Sequence, residues 1–315
     1  MHNPLNAYIF TTMTVFEMTS AMPNLVARLA NRLPEGETQT GLRSVRILKV
    51  VTPGELAPEI QKPVVSLILQ GEKRLLIGSE VLRYRSGDTY VSAVDLPTRI
   101  DILGCSRKDP YLAVSLRPDP ALLADLVGPS EALVAAPEPR AFAVHTANAD
   151  LLDAYRRLLH IIDRPGNLDV LGPLIEREIL FRLLQGPQGP VLRKIAVGGA
   201  QNDGIGRAIC LIRTRYAEPI RAEDLAYAAG MSLPTFYRHF KAETGMSPLQ
   251  YRTLLRLYEA RSSLLVSKGP IAKLAFSLGY ESASQFSREY AREFGGPPAR
   301  DMGRLRMKLA PDRPR

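Results

Sequence analysis

Cysteine and histidine are both scarce in this chain, and each scarcity excludes something. Cys105 and Cys210 are the only cysteines among 315 residues, too few for a disulfide framework or a cysteine-rich metal site. That usage suits a reducing cytoplasm, which is the expected location. The four histidines are His2, His145, His160 and His239, and none falls in the strand-like stretch 45–118. A metal centre on facing strands needs two or three histidines and a carboxylate, so no metal and no cofactor are expected. Long apolar runs are missing too: no stretch reaches the length of a membrane-spanning helix, and no membrane partner is expected. The opening "MHNPLNAYIFTTMTVFEMTSAMPNL" lacks the basic start and unbroken apolar core of a signal peptide. Met13, Met18 and Met22 are alternative starts, so residues 1–40 are read as an extension, disordered or ahead of the true start.

What is present is ordinary in bulk and uneven in placement. A length of 315 residues with 45% hydrophobic and 23% charged side chains fits two globular domains, each with its own core. The net charge is +9, and residues 201–315 supply 19 Lys and Arg against 11 Asp and Glu. The other 200 residues are nearly balanced, at 22 against 21. A polyanion partner is therefore expected for the last third alone.

Residues 45–118 alternate as short strands, for example in "PVVSLILQGEKRLLIGSEVLRYRSGDTYVSAV". Turn signals stand at Gln70-Gly71, Gly78-Ser79 and Gly87-Asp88, and the spacing suggests a small antiparallel barrel or sandwich. After Pro118 the period changes to that of helices. Leu151, Leu152, Tyr155, Leu158, Leu159 and Ile162 form one apolar face; Leu171, Leu174, Ile175, Ile179 and Leu183 form another. "GPQGP" and "VGGAQNDG" frame a linker over 186–203 with a brief helical piece inside. The chain then divides into a first domain at 41–185, a second at 204–302 and a basic tail at 303–315.

The second domain repeats itself. Leu225, Ala226 and Gly230 recur as Leu274, Ala275 and Gly279 at an offset of 49. Phe236, Arg238, Phe240, Gly245 and Pro248 recur as Phe286, Arg288, Tyr290, Gly295 and Pro298 at an offset of 50. Each block has the grammar of a helix-turn-helix: a small Ala for close packing, a Gly at the turn, then Ser232 or Ser282 opening a second helix. Aromatics four apart turn inward, so Pro234, Tyr237, Arg238 and Lys241 face out, as do Ser284, Ser287, Arg288 and Arg292. Such a face can enter a DNA major groove, where Arg pairs with guanine and hydroxyls reach bases or phosphates. "PLQYRTLLRLYEARSSLLVS" between the blocks reads as a long rigid connector, setting the two helices to successive grooves about 34 Å apart.

The segments "EDLAYAAGMSLPTFYRHFKAETGMSPLQY" and "AFSLGYESASQFSREYAREFGGPP" resemble the two helix-turn-helix signatures of the AraC/XylS family of bacterial transcription regulators. One departure stands out: members usually follow the second Pro with Tyr-Arg, where this chain has Asp301-Met302. "VVSLILQGEKRLLIGSEVLRYRSGDTYVSAVDLPTRIDI" is similar to the N-terminal domain of an AraC-type subgroup, a cupin-like barrel followed by helices. The resemblance implies an α+β chain: a cupin-like β-barrel with flanking helices, then an all-α domain of two helix-turn-helix units joined by a long helix. It implies double-stranded DNA and RNA polymerase as partners. An unidentified small-molecule or stress effector acts at the barrel, which senses a ligand, dimerises as a homodimer, or both. The DNA-contacting set is Thr235, Tyr237, Arg238, Lys241, Ser284, Ser287, Arg288 and Arg292. The regulator is read as an activator, and the helices at 150–162 and 168–184 as dimer candidates.

Cys105 lies near Arg107 and Lys108, which favours a thiolate and makes it a candidate redox sensor, with an inert strand-end cysteine as the alternative. Cys210 reads as core, and His239 as a packing or phosphate-side residue. Two other functions stay open at this point: a non-specific architectural DNA binder, and a metal-free cupin enzyme tethered to DNA.

Overall fold

The computed structural model describes residues 22–131, 140–162, 164–196, 204–266 and 269–309. No helix in these segments is long and apolar enough to cross a membrane. A helix α1 over 22–32 precedes eleven antiparallel strands in two sheets. The six-stranded sheet runs, in spatial order, β1 (Gly36–Gln39), β2 (Val45–Val50), β10 (Tyr111–Leu116), β5 (Val64–Gln70), β8 (Asp88–Ser92) and β11 (Phe142–Thr146). The second sheet runs β3 (Gly54–Glu55), β9 (Leu96–Leu103), β6 (Glu72–Ile77) and β7 (Glu80–Arg85), with β4 (Glu59–Gln61) also paired to β9. The turns at Gly71, Gly78 and Gly87 join β5 through β8 where the sequence signals stood.

The helices are α2 (Pro120–Glu131), α3 (Ala149–Ile161), α4 (Pro165–Gln185), α5 (Gly189–Ala196) and α6 (Gly204–Arg215). The first helix-turn-helix is α7 (Ala222–Ala229) with α8 (Leu233–Thr244), and the second is α10 (Ile271–Ser277) with α11 (Ala283–Phe294). Between them runs α9 (Pro248–Val266), about 28 Å long at the usual helical rise, and α12 (Pro298–Leu309) closes the chain. The mixed α+β architecture expected from the sequence is the one observed.

Four segments differ from the expected layout. Residues 22–40 are part of the fold: Leu25, Val26 and Leu29 of α1 are buried, and Lys49 Nζ caps the helix by donating to Ala30 O (2.6 Å) and Leu33 O (2.8 Å). A further strand, β11, follows α2, well beyond the expected strand stretch, and pairs with β8. It carries His145, so one histidine does lie on a strand, with its ring exposed. The helix expected inside the linker is packed rather than free, with Val191, Leu192 and Ile195 of α5 in the same core as α1. Finally, α12 runs through the first half of the expected basic tail. Residues 1–21, 197–203 and 310–315 lie outside the described residues.

Apolar residues gather in three clusters. One lies between the six-stranded sheet and α1 through α5, where the inward face of α3 (Leu151, Tyr155, Leu158, Leu159) is spent. A second fills the space between the sheets and continues without a break into α6, α7, α8 and the start of α9. The third is the core of the second helix-turn-helix, built on the later part of α9. Polar contacts follow the same seam. Tyr251 OH donates to Asp95 O (2.9 Å), while the Asp95 carboxylate pairs with Arg213 and with Lys62 (3.3 Å). Lys194 pairs with Glu243 (2.6 Å), and Arg99 donates to Glu293 O (3.3 Å). Gly78 allows a close backbone approach across this seam: a Cβ there would stand 2.6 Å from Gly245 O.

Candidate nucleic-acid interface

Each recognition helix is aimed by its turn and by its buried aromatics. In the first unit α7 stops at Gly230, whose left-handed φ of 71° sends the chain back toward α8. Arg207 of α6 holds that end by donating to Ala228 O (2.7 Å) and Ala229 O (3.2 Å). Phe236 and Phe240 are fully buried edge to face, 5.5 Å between centroids, and Phe240 meets Tyr251 of α9 at 5.7 Å. With those rings inside, the opposite face of α8 must be outside. Pro234, Tyr237, Arg238 and Lys241 are exposed; Thr235 is half-buried and accepts from Ser232 Oγ (2.9 Å).

The second unit repeats the construction. Gly279, at φ 80°, sits where a side chain would strike the Ala217 carbonyl, so glycine is required for packing as well as backbone angle. Ser282 caps α11, its Oγ accepting from Ser284 N (3.2 Å) and Gln285 N (3.4 Å). Phe286 and Tyr290 are buried 5.6 Å apart, and Tyr280 closes on Phe286 at 5.3 Å. Ser284, Arg288 and Arg292 are exposed, and Ser287 is half-buried. Among the described residues, Arg238 and Arg288 make no ion pair and no hydrogen bond through their guanidinium groups, so both are available to an anion.

The eight expected contact residues therefore do not form one uniform set. Tyr237, Arg238, Ser284, Ser287 and Arg288 occupy the first half of each helix. Arg292 instead lines a cleft against α9 together with Gln250, Glu289 and Glu293. The far ends of both helices meet the first domain: Glu243 O accepts from Ala141 N (3.2 Å) beside β11 and its carboxylate pairs with Lys194 of α5, while Glu293 O accepts from Arg99 of β9. The departure at Asp301 is compensated: its buried carboxylate accepts from Arg261 Nε (3.0 Å) and Tyr290 OH (2.9 Å), tying α12 to α9 and α11.

Two residues escaped the sequence reading. Tyr227 of α7 is 88% exposed and Phe276 of α10 is 57% exposed. They stand at the same offset of 49 as Leu225 and Leu274, so extending the repeat by one position would have found them. Elsewhere the structure bears on the two readings of Cys105. The Cys105 side chain is buried in the cluster between the sheets while Arg107 and Lys108 are exposed, an arrangement closer to the inert cysteine than to the sensor. Cys210 is half-buried rather than core.

Two units of this kind on one rigid helix, each presenting an uncommitted arginine, define a DNA-binding transcription regulator rather than an enzyme. The chain belongs to the AraC/XylS family. Residues 41–191 match the AraC-type transcriptional regulator N-terminus, and residues 225–303 match the helix-turn-helix domain. A curated relative is the HTH-type transcriptional activator RhaS of Salmonella schwarzengrund (strain CVM19633), 29% identical over 154 residues, 48% of this chain and 54% of the relative. The chain spans about half the length of the curated relatives it matches. Among solved structures, ToxT from Vibrio cholerae O395 in a ligand complex is similar at a TM-score of 0.54 and 12% identity, covering 83% of this chain and 99% of that one. An apo ToxT variant from Vibrio cholerae strain SCE256 is similar at 0.51 and 10% identity, covering 86% and 99%. These likenesses establish a common fold.

Proposed function

We propose that the chain is a sequence-specific regulator acting in the cytoplasm, whose α8 and α11 read successive major grooves of one DNA site. The N-terminal domain answers a small-molecule effector and changes how the two units are presented, and RNA polymerase recruitment changes with it. The observation that carries this reading is the pair of free guanidinium groups, Arg238 and Arg288, at equivalent positions on helices whose opposite faces are fully buried. Homodimerisation is assigned to α4, which exposes Val170, Leu174 and Phe181 along one stripe, whereas α3 is used up inside the domain. The relatives named as activators support activation as the sign of regulation.

Genome-wide mapping of bound sites followed by footprinting tests the reading. Arg238→Ala and Arg288→Ala should each weaken the specific site by about 1–3 kcal/mol and relax base preference at one position. Footprints identical to wild type from both variants would remove these residues from the interface. Steep salt dependence with no preferred sequence would turn the protein into an architectural binder.

A further inference from the structure

α8 and α11 are equivalent by repeat, yet their first turns carry different chemistry. At the offset of 50 that relates the two helices, Ser284 stands for Pro234, Gln285 for Thr235 and Glu289 for His239. Thr235 is half-buried and engaged with Ser232, so the first unit offers a hydroxyl already in use. Gln285 is exposed, in the first turn of α11 and three positions ahead of Arg288. With Phe286 and Tyr290 marking the inward direction, at about 100° per residue Gln285 and Arg288 both fall on the outward half of the helix.

The Gln285 side chain is held in place. Its Nε2 donates to Glu289 Oε1 (3.1 Å), one turn on, and Glu289 Oε2 accepts from Tyr280 OH (2.9 Å). Tyr280 is itself buried, its ring edge to face with Phe286 and under the Arg256 guanidinium of α9 at 5.5 Å. A chain of contacts, Tyr280 to Glu289 to Gln285, thus runs from the core of the second unit to its outer face. A carboxylate only accepts, so the amide nitrogen of Gln285, not its oxygen, faces Glu289. Nε2 carries two hydrogens, and Glu289 takes one. The other hydrogen and Oε1 have no partner among the described residues.

A donor and an acceptor on one planar group match adenine in the major groove, where N7 accepts and the N6 amino group donates. Guanine offers two acceptors at that edge, thymine an acceptor and a methyl, and cytosine a donor. Resting on the regulator reading above, we propose that Gln285 is a specificity-determining residue that reads an adenine in the second half-site, with Glu289 as the positioning residue that holds its carboxamide. Gln285 lies about 4.5 Å along the helix from Arg288, close to the rise of about 3.4 Å per base pair, so this adenine neighbours the base that Arg288 reads. The first half-site has no such reader, because Thr235 is tied back to Ser232.

The test uses the full-length protein on its mapped DNA site and on every single-base variant of that site, read by fluorescence anisotropy. Wild type should favour adenine by about tenfold at one base pair, next to the one whose preference Arg288→Ala erases. Gln285→Ala should bind the best site about tenfold more weakly and accept all four bases there, with other positions unchanged. Glu289→Ala, or Glu289→Met if the alanine variant does not fold, should lower the adenine preference several-fold. Glu289→Gln keeps an acceptor oxygen and should retain it. Adenine preference intact in Gln285→Ala, or loss of preference for a different base, would overturn the proposal. So would uniform weakening with a shallower salt dependence, the mark of a phosphate contact. An adenine preference untouched by removing the Glu289 carboxylate would strike the positioning role. No sequence-specific binding by wild type sinks the regulator reading, whereas specific binding indifferent to Gln285 sinks this inference alone.

Discussion

Asp301 occupies the place of Tyr251 in the repeat, 50 positions on, and the exchange shows how one junction can be closed with two chemistries. In the first unit Tyr251 packs on Phe240 and sends its hydroxyl out to Asp95 of the barrel. In the second, the hydroxyl has moved to Tyr290, the counterpart of Phe240, and its acceptor is Asp301. The same carboxylate neutralises Arg261, whose guanidinium also lies over the Phe294 ring at 4.6 Å. Asp301→Ala leaves a largely buried arginine without its counter-ion, and should cost about 3–5 kcal/mol in urea unfolding. Lys73, buried on the inward face of β6, makes a second prediction at this scale. Its pKa is depressed from 10.5 to about 8, so between those values the unfolded chain holds a proton the native chain has lost. Stability attributable to Lys73 therefore rises as pH climbs through that window, by up to about 3 kcal/mol, and is flat below it. Lys73→Met should be the more stable protein at neutral pH and should lack the rise. Burial raises Tyr84, Tyr90 and Tyr111 above the ordinary tyrosine value, which works the other way once pH passes 10; the difference between wild type and variant isolates the lysine.

Among elements, the two recognition helices start differently although both begin after a serine. Ser282 Oγ accepts from two backbone N–H groups of α11, while Ser232 Oγ donates to Thr235 and makes no cap bond. Ser282→Ala should cost about 1 kcal/mol by urea denaturation and Ser232→Ala distinctly less. The helix-turn-helix pair was legible from sequence because its signals are local: glycine at the turn, aromatics four apart, an opening serine. The outward arginines follow from those aromatics by geometry alone. The hairpins at Gly71, Gly78 and Gly87 were legible for the same reason. What escaped depends on distant partners. Leu25, Val26 and Leu29 become a helix face only against the sheet, and "FAVHT" becomes a strand only because β8 offers it an edge. The helix at 189–196 was foreseen but its burial was not, since nothing local says which surface receives Val191 and Leu192. Likewise, no spacing rule shows that the ends of α8 and α11 meet the first domain.

For the whole molecule, the seam between barrel and helices sets the orientation of the reading faces. Asp95 is its polar centre, joining Lys62 to Arg213 of α6 and taking the Tyr251 hydroxyl on its backbone oxygen. Asp95→Ala should speed hydrogen exchange in α6 and at the start of α9 while leaving the barrel strands protected, since the backbone bond and the apolar contacts remain. A circular dichroism spectrum like that of wild type would confirm that the change is one of docking.

The apolar interior that runs from the sheets into α6, α7 and α8 also governs how the chain comes apart. Heating should take the barrel and the first reading unit through one shared endotherm, with the second unit free to fray beforehand on its own smaller cluster. A fragment cut off ahead of α6 would carry a raw hydrophobic scar where the sheets had been, and would need detergent or a fusion partner to stay dispersed.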